Sequence, residues 1–127
     1  MTFLIDTHIF LWAVTAPENL SAAVARLLRD PGNEILVSVV VPLELAIKTN
    51  TGKLDAAAIL GDFDARVLGF GFEIQGIDTS HAIRSGLLPF HHRDPFDHIL
   101  AAQSLELDCP LISRDTIFDL YGVHRVW

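Results

Sequence analysis

The sequence predicts an α/β protein with a central, mainly parallel sheet. Three observations carry that prediction. Short apolar runs alternate with helix-length amphipathic stretches along the whole chain, as in strand–helix–strand units. The first two runs, TFLI and EILVS, are continuous rather than alternating in polarity, as strands covered on both faces are. Half of the residues are hydrophobic and the mean hydropathy is +0.38, at the apolar end for a globular chain.

Each element can be justified in order. TFLID opens the chain as a buried strand, apolar from Phe3 to Ile5 and stopped by Asp6. A helix follows at once, since Thr7 is of N-cap type and Ile9, Phe10, Trp12 and Ala13 recur at helical spacing. Thr15–Leu20, with Pro17 and Asn19, is a turn. Ser21 caps a second helix whose Val24, Leu27 and Leu28 form an apolar stripe, and Pro31-Gly32-Asn33 ends it. EILVS is the second strand. Ser38 ends it and caps the helix of residues 39–52, where Pro42 must lie in the first turn and Gly52 marks the exit. Residues 54–69 form a further helix with Ile59, Leu60, Phe63, Val67 and Leu68 inward, and Gly61 as its weak point.

Phe72–Ile77 is the third strand, and Ser80–Leu88 a short helix closed by Pro89. Asp94-Pro95-Phe96-Asp97 then signals a helix start twice, with an N-cap followed by proline at the first helical position. Leu111–Ser113 is a short strand delivering Asp115 at its tip, Thr116–Tyr121 a turn or short helix, and Val123–Trp127 the last strand. With no repeat, low-complexity segment or linker, residues 1–127 are expected to form one domain.

No apolar run approaches the ~20 residues that span a bilayer, and the N-terminus lacks the charged region and cleavage site of a signal peptide, so no membrane association and a cytoplasmic location are expected. A lone Cys109 agrees with a reducing compartment. The net charge of −7 argues against holding nucleic acid by bulk electrostatics. It leaves room for a nuclease whose acids gather at a metal site, and for a basic partner docking on an acidic surface.

The acids are where chemistry is expected. In open α/β sheets, ligands bind beyond the carboxyl ends of the strands. Asp6 and Asp115 both follow strands, Glu44 lies early in the helix after the second strand among Leu43, Leu45, Ala46 and Ile47, and Asp97 sits just before the apolar run ILAA. Four carboxylates brought together repel by about 4 kcal/mol per pair at ~4 Å with an effective dielectric near 20. A divalent cation relieves that. An all-oxygen set without a Cys/His cluster points to Mg²⁺ or Mn²⁺ rather than Zn²⁺, and to phosphodiester hydrolysis. Taken singly, each acid has a plain role as well. Asp6 and Asp115 can be turn residues or caps, Asp94 is better placed than Asp97 to be a cap, and Glu44 can pair with Lys48 four residues on.

LIDTHIFLWAV, VSVVVPLELAIKTNTGKL, PFHHRDPFDHILAAQSLE, LISRD and YGVHRVW together resemble the PIN-domain nucleases, and among them the VapC-type toxins of toxin–antitoxin pairs. The resemblance covers essentially the whole chain. It implies a PIN-like three-layer α/β/α fold in which Asp6, Glu44, Asp97 and Asp115 are the catalytic acids and metal ligands, with Ser113 supporting metal-bound water. It implies a Mg²⁺-dependent endoribonuclease leaving 5′-phosphate and 3′-hydroxyl ends, which halts translation until a cognate antitoxin blocks the cleft. Two positions depart from the subgroup: Leu43 stands where an aromatic residue often precedes the glutamate, and His98 where arginine often follows DPFD.

Lys48, Lys53, Arg93 and Arg114, with His91 and His92, flank the acids as candidate contacts to an RNA backbone. His8 and His98 adjoin the acids, either to place water or phosphate or simply to pack. A homodimer buried through the apolar helices near Trp12 and Leu45 is expected. Two other readings stay open: a phosphotransfer domain with Asp6 as phospho-acceptor, although a D-x-D pattern would need an acid where His8 stands, and a catalytically idle PIN-like binding module.

Overall fold

The computed structural model describes residues 1–127. Five strands form one sheet: β1 (Thr2–Ile5), β2 (Glu34–Ser38), β3 (Glu73–Gln75), β4 (Leu111–Ile112) and β5 (Arg125–Val126). Their order is β3-β2-β1-β4-β5 and every pairing is parallel, so the expected mainly parallel sheet is wholly so. β1 is central. Phe3, Leu4 and Ile5 are buried between Ile35, Leu36 and Val37 of β2 on one side and Leu111 and Ile112 of β4 on the other, which is why these runs are continuous in hydrophobicity. The edge strand β3 leaves Ile74 exposed.

Helices flank the sheet in three-layer α/β/α fashion: α1 (Thr7–Thr15), α2 (Ala22–Arg29), α3 (Val40–Asn50), α4 (Ala57–Gly61), α5 (Phe63–Gly69), α6 (Thr79–Leu87) and α7 (Pro95–Glu106), with short 3₁₀ turns at Pro17–Asn19 and Thr116–Tyr121. The single helix expected over residues 54–69 is two, broken at Asp62 directly after Gly61. Helix α3 accepts Pro42 in its first turn, the Ser38 hydroxyl takes the Val40 N–H at 3.1 Å, and Gly52 at φ 75° turns the chain away beyond Thr51. Helix α6 is capped by Asp78 and His81 reciprocally, a start one residue earlier than the sequence implied. No helix is long and apolar enough to cross a membrane.

One cluster of 25 buried residues fills the space between sheet and helices. Leu45 belongs to it and is fully buried within the chain, so it is not free to meet a second copy as the dimer expectation had it. Phe10 is also fully buried, its ring centroid 5.1 Å from that of Phe63, and it fastens α1 to α5. Phe10→Ala is expected to lower the unfolding free energy by ~3–5 kcal/mol in urea denaturation. A loss under about 1 kcal/mol would mean that the site collapses around the missing ring.

Candidate active site

The strand order reverses at β1: the chain runs from it to β2 and β3 on one side and returns to β4 and β5 on the other. The carboxyl ends of β1 and β4 therefore border the crevice where α/β sheets bind ligands. Asp6 leaves β1 at this point, with its N–H donating to the Ile112 carbonyl (3.2 Å). Its Oδ1 accepts from the Ile9 N–H at 2.8 Å, so Asp6 rather than Thr7 caps α1. Its Oδ2 accepts from the Ser113 hydroxyl. That hydroxyl in turn accepts the Asp115 N–H at 3.0 Å, so one side chain ties the acid of the first strand to the backbone of the last acid. Asp115 itself is exposed and caps the following 3₁₀ turn through the Ile117 N–H.

Thr7, not needed as a cap, donates its hydroxyl to Glu44 Oε1 at 2.7 Å. Glu44 Oε2 meets Lys48 Nζ at 2.5 Å, the i,i+4 pair anticipated from sequence. Glu44 is buried because α3 starts directly at the end of β2 and aims its second turn at α1 and α7. In α7, Asp94 Oδ1 accepts the N–H groups of Phe96 and Asp97, at 2.9 and 3.3 Å. Its neighbour Asp97 accepts from His92 Nε2 at 3.0 Å.

Beyond His92 lies a relay that the sequence did not reveal. His92 Nδ1 is 2.7 Å from the Tyr121 hydroxyl, which is 3.0 Å from His98 Nε2. With His92 neutral and its Nε2–H given to Asp97, Nδ1 must accept, so Tyr121 donates to His92 and accepts from His98. His98 is thus a packed histidine. Tyr121 lies in a turn 24 residues after Asp97, and nothing local in the sequence links them. Lys48 and His92, candidates for RNA contact, are here engaged with Glu44 and Asp97, whereas His91, Arg93 and Arg114 are exposed.

The protonation equilibria show that these acids share a field. Burial pushes the Asp6 carboxyl up, with Glu44 adding to it, against the hydrogen bonds from Ser113 and Ile9 and the nearby His8. Burial likewise pushes Asp97 up to about 6, helped by Asp94 and Glu44 and opposed by His92. Asp6 and Asp97 therefore both feel Glu44. As the side chains stand, no three His, Cys, Asp or Glu groups close on one point as a ready ligand set. Ile9, Ser113, Thr7, Lys48 and His92 hold the oxygens instead. In kind the donors suit a hard divalent cation, with the Lys48 ammonium lying where positive charge is needed. Both Asp6 oxygens are engaged and no second acid adjoins it in the chain, which disfavours a phospho-acceptor role.

The mouth of the cluster is an open depression of about 340 Å³ lined by Asp6, His8, Trp12, Arg114 and Asp115. The Trp12 ring centroid is 5.8 Å from that of His8 and 6.1 Å from that of Trp127. Sequence reading assigned Trp12 to the apolar face of a helix and Trp127 to a strand, and neither to the site.

Comparison with known proteins was made on both sequence and fold. A family model described as the PIN domain matches residues 3–123. No curated protein matches the sequence. Among solved structures, a chain of VapBC2 from Rickettsia felis, bound to a DNA fragment from its promoter, superposes with a TM-score of 0.74 at 16% identity, covering 99% of this chain and 98% of that one. A chain of DNA-bound VapBC from Salmonella typhimurium gives 0.71 at 15%, covering 99% and 97%. One of VapBC-1 from nontypeable Haemophilus influenzae gives 0.68 at 16%, again covering 99% and 97%. At such identities the likeness is one of fold.

Proposed function

The chain belongs to the PIN-domain family, and from that premise we propose that it is a divalent-metal-dependent endoribonuclease, a VapC-type toxin restrained by a cognate antitoxin. The observation carrying this reading is the set of acids at the reversal of strand order, with Asp6 and Glu44 buried and Asp97 half-buried, where burial first, and Glu44 to a lesser degree, raises the proton affinity of both Asp6 and Asp97. Buried like charges of this kind are kept where a cation is to be bound. Asp6, Glu44, Asp97 and Asp115 would hold Mg²⁺ or Mn²⁺, with residues 1–127 acting as one PIN domain. Such an ion supplies Lewis-acid polarisation of a phosphodiester and an acidified water.

The chain's own residues do the positioning. Ser113 and the Ile9 N–H hold Asp6 with both oxygens fixed in direction. Thr7 orients Glu44, and Tyr121 sets the His92 ring against Asp97. Lys48 stands in for positive charge on Glu44, the His92 N–H occupies Asp97, and both contacts would have to open for a cation to take those oxygens. Arg114, exposed in the same depression as Asp6, is placed to take a phosphate of the substrate, with Arg93 and His91 as outlying contacts.

The solved structures of similar fold include toxin–antitoxin complexes, and the net charge of −7 favours a basic partner, so an antitoxin is proposed as the regulator and the cytoplasm as the place of action. Homodimerisation is proposed too, through surfaces other than Leu45, and light scattering decides it. The central test is cleavage of total RNA by the purified chain with Mg²⁺ or Mn²⁺. Cuts abolished by EDTA and leaving 5′-phosphate ends are expected. Cutting that persists in EDTA, or cyclic phosphate ends, would overturn the reading. No metal binding and no metal-dependent cleavage would instead favour the idle binding module.

A further inference from the structure

Trp12 lines the candidate site, and the chain's other tryptophan, Trp127, lies against it. Trp12 is the one hydrophobic residue among the five that line the depression, the others being Asp6, His8, Arg114 and Asp115. It is partly exposed and packed from behind against the core, so its ring is held in place while one part stays open. Trp127, 36% exposed, sets its ring at 56° to that of Trp12, and His8 sets its own at 55° to it. An aromatic residue alone among charged and polar ones, rigid and beside an arginine, suits a ligand that is flat on one side and anionic on the other. An apolar peptide segment would find only this one apolar residue in the lining.

From this juxtaposition we propose that Trp12, with Trp127 and His8 beside it, is a stacking shelf for a base of the RNA substrate, with Arg114 taking an adjoining phosphate. The proposal rests on the ribonuclease reading, and it makes Trp12 a residue that grips substrate rather than one that only fills the core. Stacking on an aromatic ring tolerates every base, because each has a π face. It therefore supplies grip and placement of the strand, leaving sequence choice to other contacts. A base stacked within a duplex is not available to the shelf.

Because the chain has no other tryptophan, its intrinsic fluorescence reports on the shelf. The probe is a short unstructured ribo-oligonucleotide mixed with the whole chain in Mg²⁺ by stopped flow and read before turnover, with the same strand in a duplex as control. Saturable quenching by the single strand and little by the duplex is expected. Trp127→Phe should keep the quenching, since Trp12 remains. Trp12→Leu, shown folded by circular dichroism, should lose it and raise KM by about tenfold with kcat within roughly threefold.

No quenching by the single strand, equal quenching by the duplex, or an unchanged KM in folded Trp12→Leu overturns the shelf. So does quenching by a basic aromatic peptide but not by RNA, which would assign the surface to a protein partner. If Trp12→Leu does not fold, His8→Ala and the Trp127→Phe readout decide in its place: a KM unchanged in the first, together with no quenching in the second, overturns the proposal. Failure of metal-dependent cleavage with the quenching intact would sink the nuclease reading and leave the shelf standing. Cleavage without quenching would do the reverse.

Discussion

Asp6→Asn is expected to end RNA cleavage while leaving the fold intact or firmer. Losing one acid of a metal site removes on the order of 4 kcal/mol of charge stabilisation, about a thousandfold in rate. The structural duties of the side chain survive the change. Asparagine caps a helix as well as aspartate does, so its Oδ1 can still accept the Ile9 N–H. The Ser113 hydroxyl, which donates to Asp6, can turn to accept from the new amide. A neutral amide also avoids the burial that pushes the Asp6 carboxyl upward. Denaturation in EDTA should therefore show Asp6→Asn at least as stable as the parent, while a labelled-RNA assay shows no activity. Full cleavage by the variant in Mg²⁺ would remove Asp6 from the chemistry. The pair in α7 gives the matching contrast: Asp97→Asn should lose metal binding, whereas Asp94→Asn, still able to cap through its Oδ1, should keep most of it.

The second large effect is on pH dependence, present without metal and removed by it. Asp97 keeps its proton up to about pH 6 in the folded chain, against 3.8 for an ordinary aspartate. Between those values the folded state binds more protons than the unfolded one, so Asp97 makes the metal-free protein less stable as pH rises, and its contribution is level above about 6. Asp6 shifts in the same direction. The full shift of Asp97 corresponds to ~3 kcal/mol, reduced to roughly 1–2 kcal/mol by solvent around its partly exposed side chain.

A cation needs the unprotonated carboxylate, so its affinity, and the stabilisation that follows from it, should rise with pH and level off above about 6. Thermal melting from pH 4 to 7 in EDTA and in Mg²⁺, each compared with Asp97→Asn, isolates the term. The parent-minus-variant difference should fall between about pH 4 and 6 in EDTA and stay nearly level in saturating Mg²⁺, so that the increment due to metal grows with pH. Equal slopes in the two buffers would separate Asp97 from the metal.

What was legible in the sequence was local. Continuous apolar runs marked β1 and β2, Pro42 and Pro95 marked helix starts, and the four-residue spacing of Glu44 and Lys48 marked their pair. Two neighbouring residues competed for one cap, and the choice between Asp6 and Thr7 turned on Glu44, which claims the Thr7 hydroxyl from 37 residues away. Gly61 hinted at the break that the structure places at Asp62. The role of Tyr121 was invisible, because a phenol in a short turn has no periodicity to betray it and its two histidine partners come from another part of the chain. Trp12 was hidden for the opposite reason: helical spacing accounts for it fully, and only the depression shows that one part of its ring stays uncovered.

The bond from Ser113 to Asp6 spans 107 residues, which gives the site a place in time. Ser113 and the strand holding it are made ~5–20 s after Asp6 at usual rates of synthesis. Until then β1 has only its β2 neighbour, and its acid lacks the hydroxyl that orients it. Whatever chemistry Asp6 serves therefore waits until Ser113 has been made and β4 has joined β1 in the sheet.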